Sequence, residues 1–365
     1  MAIAPSARRT RGRTAIRLDV YPLSDGTTGI ADDVRRGLTD TPKWLLPKYF
    51  YDARGCALFE AITDLPEYYQ TRTELSILQR EMPGIVARHE LNELVELGSG
   101  SSRKTVTILD AMDDAGSLRR YLPFDVAPGA LLEAAGRLVD AYPGLRVHAV
   151  SGDFERHLSK IPPRARGTRR LVAFLGGTIG NLHPAERRPF LRQIGKLMRP
   201  GDRLLLGTDL VKDPARLEAA YDDAAGVTAA FNLNVLQVLN RELGADFDLT
   251  KFAHVAFYDA RNAWIEMRLR SLVAQSVAIR DLGLDVTFAE GEEIRTEISC
   301  KFTADSVTDM YADAGLELLE FHTDDEDLFA VSIAGRADDE NEARKDAQAR
   351  PQTESRPPAP LSGGL

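Results

Sequence analysis

The chain has 365 residues, 44% of them hydrophobic, so it fits one large or two medium domains and excludes wholesale disorder. Lys and Arg number 46 against 55 Asp and Glu, a net charge of −9 that repels phosphate backbones and argues against broad nucleic-acid binding. Two cysteines, Cys56 and Cys300, cannot build a disulfide framework or a Cys-rich zinc site, and the scattered histidines form no His-Glu-x-x-His, so no metal is expected.

Residues 1 to about 20 carry Arg8, Arg9, Arg11, Arg13 and Arg17 and read as a disordered basic arm. Arg17 and Asp19 break any apolar stretch, so no signal peptide is expected. Nowhere do about eighteen apolar residues run together to span a membrane. A reducing cytoplasm is the expected setting.

Residues 21–72 are partly helical, around Ile30, Val34 and Leu38. Thr71-x-x-Glu74 reads as a capping box that opens a helix with Leu75, Leu78 and Met82. Leu94–Leu97 is a strand running into Gly98-Ser-Gly100, and Lys104–Met112 is a helix. Tyr121–Val126, Val147–Val150, Leu171–Leu175 and Leu204–Leu206 are further strands, with helical stripes at Leu131–Val139 and Phe190–Met198 between them. Strands alternating with helices predict a parallel sheet covered on both faces. The pattern then changes. Residues from about 212 to 245 are helical, and Phe252–Cys300 is strand-like. Ile265, Met267 and Leu269 alternate with Glu266 and Arg268, as in an antiparallel sheet. Thr303 caps a helix, and Leu316–Phe321 and Leu328–Ile333 close the parallel sheet. The expected division is a substrate domain from 21–72 with 212–299, a sheet domain from 73–211 with 300–335, and a disordered tail from 336 to 365.

Ligands of open α/β sheets bind at the carboxyl ends of the strands. Gly98 lets the backbone approach a ligand there. Position 103, where a dinucleotide fingerprint needs its third glycine, is Arg103, which disfavours a nicotinamide or flavin enzyme. Asp125 has the spacing of an acid that takes ribose hydroxyls, while Asp153 and Phe154 could accept from an adenine amine and stack on the base. Each acid alone reads equally well as a solvated strand end; together they outline an adenosine-shaped site. Asn181 lies in the Gly-rich loop Gly176–Asn181 and can donate and accept at once. Glu297 and Ser299, two apart on a strand, share one face about 6.5 Å apart. They could hold a small nitrogen heterocycle, or simply form a polar outer face.

These stretches form an ordered set: Tyr51-Asp52, Leu65–Tyr69, Val95–Gly100, Pro123–Asp125, Gly152–Phe154, Gly176–Asn181, Gly207–Lys212, Tyr221–Val227 and Glu297–Phe302. Over about residues 28 to 335 the chain resembles the L-histidine N-alpha-methyltransferases of ergothioneine biosynthesis. The resemblance implies a Rossmann-like class I methyltransferase domain, its sheet mostly parallel with the last strand antiparallel, plus a second α+β substrate-binding domain. It implies three methylations of the histidine α-amine, giving hercynine and three S-adenosylhomocysteines. A monomer acting on a small molecule, without nucleic acid or membrane, is the expected state. It places S-adenosylmethionine on Gly98, Lys104, Asp125, Asp153 and Phe154, with Tyr51 nearby. Histidine falls on Tyr68, Asn181, Tyr221, Glu297 and Ser299. Glu297 and Ser299 would hold the imidazole beside Met267, and Asn181 and Tyr221 the amino-acid end, with Asn181 and Tyr51 aligning the reactants. Gln70 stands where the family often has Pro, and Gly177 where Ser is common. The alternatives are a methyltransferase of the same fold acting on another amino acid or biogenic amine, and a module that binds the donor without transferring anything.

Overall fold

A computed structural model describes residues 15–21, 28–99 and 103–337. The alternating apolar runs build an eight-stranded sheet. From edge to edge its strands are Ile16–Val20, Arg146–Ser151, Arg120–Asp125, Glu93–Leu97, Arg170–Phe174, Arg203–Asp209, Phe329–Arg336 and Leu316–Thr323. The first six run parallel. Phe329–Arg336, the last in sequence, is antiparallel to both neighbours. This is the Rossmann-like class I methyltransferase arrangement expected above. The strand order reverses at Glu93–Leu97, whose five residues are all buried, so its carboxyl end opens at a topological switch point.

Period-two alternation divides the sheet between two cores. Leu94, Tyr121, Val147 and Leu171 face the helices Gln70–His89, Arg103–Asp114 and Pro128–Ala141. Val95, Leu122, Val150 and Val172 face Pro184–Leu197 and Ala304–Ala314. Thr303 caps the latter helix by accepting from the Ser306 N–H.

A second sheet orders Lys43–Trp44, Glu293–Cys300, Trp264–Ser271 and Phe252–Asp259. Ile265, Met267 and Leu269 turn inward onto Phe231, Val235 and Leu239 of the helix Val227–Leu243, in a third core shared with Val34, Phe50 and Ile62. A β-bulge falls between Arg295 and Glu297. It leaves Ile294 opposite Leu269 and Glu297 opposite Met267, so that residues an odd number apart look into the same side.

Three expectations are corrected. The basic arm lies outside the described residues as far as position 14, but Ile16–Val20 are an edge strand on Arg146–Ser151. The density of arginines hid the alternation of Ile16, Leu18 and Val20, and Asp19 accepts from Arg17 and bonds His148. At the other end Arg336 belongs to the last strand, and the tail from 338 lies outside the described residues. The capping box at Thr71 and Glu74 does not form: the helix starts at Gln70 behind Tyr69, and Glu74 is buried. Among the described residues no helix is long and apolar enough to cross a membrane.

Candidate active site

Tyr51, Tyr68, Asn181, Tyr221, Met267, Glu297 and Ser299 line one cleft, beside the carboxyl ends of the central strands. They come from six separate stretches of chain. Tyr68 ends the turn before the helix Gln70–His89, and Tyr221 precedes Val227–Leu243. Asn181 ends a single 3-10 turn, Thr178–Asn181, entered through Gly177 at φ 67°. Glycine there suits a left-handed backbone that a serine would strain. Gly180 presses on the strand carrying Glu297: a Cβ at Gly180 would stand 2.8 Å from the Cys300 carbonyl oxygen. That contact holds the Asn181 loop against the Glu297 face.

Glu297 is 8% exposed, and its carboxyl has no hydrogen-bond partner among the described residues. Burial pushes it up to about 7, against the pull of Lys301. The Asn181 amide likewise lines the cleft without a partner among the described residues. Ser299 and Tyr221 are joined at 2.7 Å between their hydroxyls, which puts the Tyr221 hydroxyl beside the face of Glu297. Tyr51, Phe59, Phe231 and Tyr68 supply an aromatic wall, with Tyr51 edge-on to Phe231 at 5.7 Å and Phe59 edge-on to Tyr68 at 6.2 Å.

Gly98, Lys104, Asp125 and Asp153 gather around the ends of three adjacent strands, and Phe154 opens a short helix there, its side chain outside the described residues. Gly100 also lies outside them. Gly98, at φ 72°, turns the chain sharply after Leu97 while its N–H donates to Phe124. Asp125 accepts from the Ala127 N–H. A bare backbone turn at the switch point, with acids at or just beyond the ends of the next two strands, lies where ligands of open α/β sheets bind. Tyr51 stands between the two halves: Glu297 and Asp125 both act on its hydroxyl. Among the described residues no group of three or more His, Cys, Asp or Glu could hold a metal ion.

Several residues of the site escaped the sequence reading. Glu74 pairs with Lys104 and accepts the Gly176 N–H at 2.9 Å. Lys301 donates to Asp209 at 2.7 Å, Ser299 at 2.9 Å and Tyr221 at 3.0 Å. Asp209 also accepts from Lys212 at 2.6 Å and Tyr69 at 2.8 Å. Burial would raise the Asp209 carboxyl, but Lys301 and Lys212 hold it below the usual carboxylate range. Gln70 reaches the same carboxylate at 3.5 Å. The one available signal was the period-two series Glu297, Ser299, Lys301, which continues a step beyond the pair singled out.

The profile of the family described as histidine-specific, SAM-dependent methyltransferases matches residues 30–336. The chain is 55% identical over 304 residues to a histidine N-alpha-methyltransferase of Mycolicibacterium smegmatis, covering 83% of this chain and 94% of that one. It is 50% identical over 311 residues to one of Mycobacterium tuberculosis, covering 85% and 96%. An ergothioneine biosynthesis protein 1 of Neurospora crassa is 33% identical over 210 residues, 56% of this chain and 24% of that one.

Proposed function

We propose that this chain, which belongs to the histidine-specific, S-adenosylmethionine-dependent methyltransferase family, transfers three methyl groups in succession to the α-amine of L-histidine. The product is hercynine, and the reaction opens ergothioneine biosynthesis. Glu297 carries the reading. A carboxyl this buried, without a partner and facing a cleft, is costly unless a ligand N–H completes it. An imidazole supplies such an N–H.

Glu297 and Ser299 hold the ring, with Met267 packed beside it, and Asn181, Tyr68 and Tyr221 hold the amino-acid end. Gly98, Lys104, Asp125, Asp153 and Phe154 hold the methyl donor, which supplies an electrophilic methyl on a sulfonium that already carries its leaving group. The side chains therefore act mainly by alignment, and Asn181 and Tyr51 fix the amine where the two halves meet. The amine must lose a proton before each transfer. We assign that proton to solvent at the mouth, where Tyr51 is 39% exposed. Anchoring both ends of histidine keeps the amine in place as it grows. The rings of Tyr51, Phe59 and Phe231 favour the quaternary ammonium that results.

The reading includes a monomer in the cytoplasm, where Cys56 and Cys300 stay as the free thiols seen here. The deciding experiment incubates the purified protein with S-adenosylmethionine and each common amino acid, with products read by mass. A gain of three methyls on histidine alone is expected. Transfer to a different amino acid alone would overturn the imidazole pocket, and binding of the donor without transfer would overturn the enzyme.

A further inference from the structure

Lys301 is buried to its tip, and its ammonium is satisfied on three sides by Asp209, Ser299 and Tyr221. Two hydroxyls carry two protons and about four lone-pair sites between them. The bond between Tyr221 and Ser299 uses one of each. Lys301 occupies two more lone pairs. The pair is left with one proton and one lone pair, where without Lys301 it would keep one proton and three. Lys301 therefore shifts the pair from acceptor toward donor. Glu297, two residues before Ser299 on the same face, has only acceptors to offer when ionised.

We propose that Lys301 is a positioning residue of the substrate pocket: it takes up two of the three lone pairs that the Tyr221–Ser299 pair would otherwise offer a ligand, biases the pair to give its one free proton opposite the acceptor Glu297, and so favours a neutral heterocycle with one N–H and one bare ring nitrogen. The inference rests on the histidine reading and sharpens it, because histidine would enter with a neutral imidazole. An imidazolium has two N–H groups and no acceptor, and it would meet a donor and a buried ammonium.

The same lysine is the cation that opposes the burial of Glu297. The other groups facing Glu297 are the hydroxyls of Tyr68 and Tyr221, both held neutral chiefly by burial, and that of Tyr51 at the mouth. Asp209, behind them, shares its charge with Lys212 and Lys301. Removing Lys301 leaves nothing comparable to keep Glu297 ionised near neutral pH.

Two measurements test this. The first is the 15N spectrum of ring-labelled histidine bound to the wild-type protein with S-adenosylhomocysteine. One protonated and one bare ring nitrogen at pH 7 are expected, and two protonated nitrogens would overturn the proposal. The second is calorimetry of Lys301→Met across pH. S-adenosylhomocysteine affinity should stay within about twofold, while histidine affinity at pH 7 falls by about 30-fold or more and its acid limb moves up by about one pH unit. A loss of equal size at every pH is the mark of a merely structural lysine and would sink the idea, as would unchanged histidine affinity. If Lys301→Met does not fold, the wild-type spectrum decides. A wild-type protein that binds donor but no histidine defeats the substrate reading, and the present proposal falls with it.

Discussion

Glu74 accepts the backbone N–H of Gly176 with both carboxylate oxygens, each at 2.9 Å, although 102 positions separate the two residues. The same carboxylate holds the ammonium of Lys104. One buried acid thus ties the helix Gln70–His89 to the loop that ends in Asn181 and to the first turn of the helix beside Gly98. The two ligand halves of the site are braced against each other through it.

Gly207 lies directly beneath, where an added Cβ would stand 1.9 Å from Glu74 Oε1. Gly207→Ala must therefore displace the brace. We expect a loss of about 1–3 kcal/mol in denaturant unfolding, as for overpacked cores. Donor and histidine affinity should both fall, measured by calorimetry. Unchanged stability and binding would show that the carboxylate can move without consequence.

Gly180→Ala tests the other close approach. Its Cβ would meet the Cys300 carbonyl oxygen at 2.8 Å and push the Asn181 loop off the strand of Glu297. Histidine kcat/KM should drop by about tenfold or more, since displacement of about an ångström in positioning groups has such effects. Donor affinity should change little. The opposite pattern would place Asn181 on the donor.

Glu297→Gln separates binding from stability. Histidine affinity should fall sharply while donor binding remains near wild type, and equal loss of both would defeat the assignment. Stability should move the other way. The folded carboxyl sits near 7, above its ordinary value of 4.5. Its ionisation therefore costs stability progressively as pH rises from about 4.5 through 7, because the native state binds the extra proton. Free of ligand at pH 8, Glu297→Gln should be more stable than wild type by about 1–3 kcal/mol, and at pH 5 the gain should shrink toward zero. Thermal unfolding at the two pH values reads this directly.

Far from the cleft, Glu320 joins the edge strand Leu316–Thr323 to Arg88 and His89, and also bonds His322 of its own strand. Arg203 donates to Nδ1 of His89, so Nε2 of that ring carries the proton given to Glu320. Burial works against the Glu320 carboxylate, but Arg88 and the two histidines bring it down to about 2. A depressed carboxyl stabilises the fold above its unfolded value, and that contribution fades as pH falls from about 4.5 toward 2. Glu320→Gln should cost about 1–2 kcal/mol at pH 7 and progressively less below pH 4.5. A cost independent of pH would mean that packing, not charge, is lost.

Local patterning determined much of this protein. Apolar runs alternating with helical stripes marked the parallel strands, because period two and period 3.6 are written in neighbouring residues. Gly98, Asp125 and Asp153 could be placed at strand ends for the same reason, and Glu297 and Ser299 on one face. Tertiary structure alone decided which distant groups meet. The Thr71–Glu74 spacing looked like a helix cap, yet burial carried Glu74 to Gly176 and Lys104. Lys301 carried no role in the sequence reading, and packing made it the hub joining Asp209, Ser299 and Tyr221. A buried charge must find partners wherever the fold brings them, and that choice depends on how whole layers stack rather than on any short stretch of sequence.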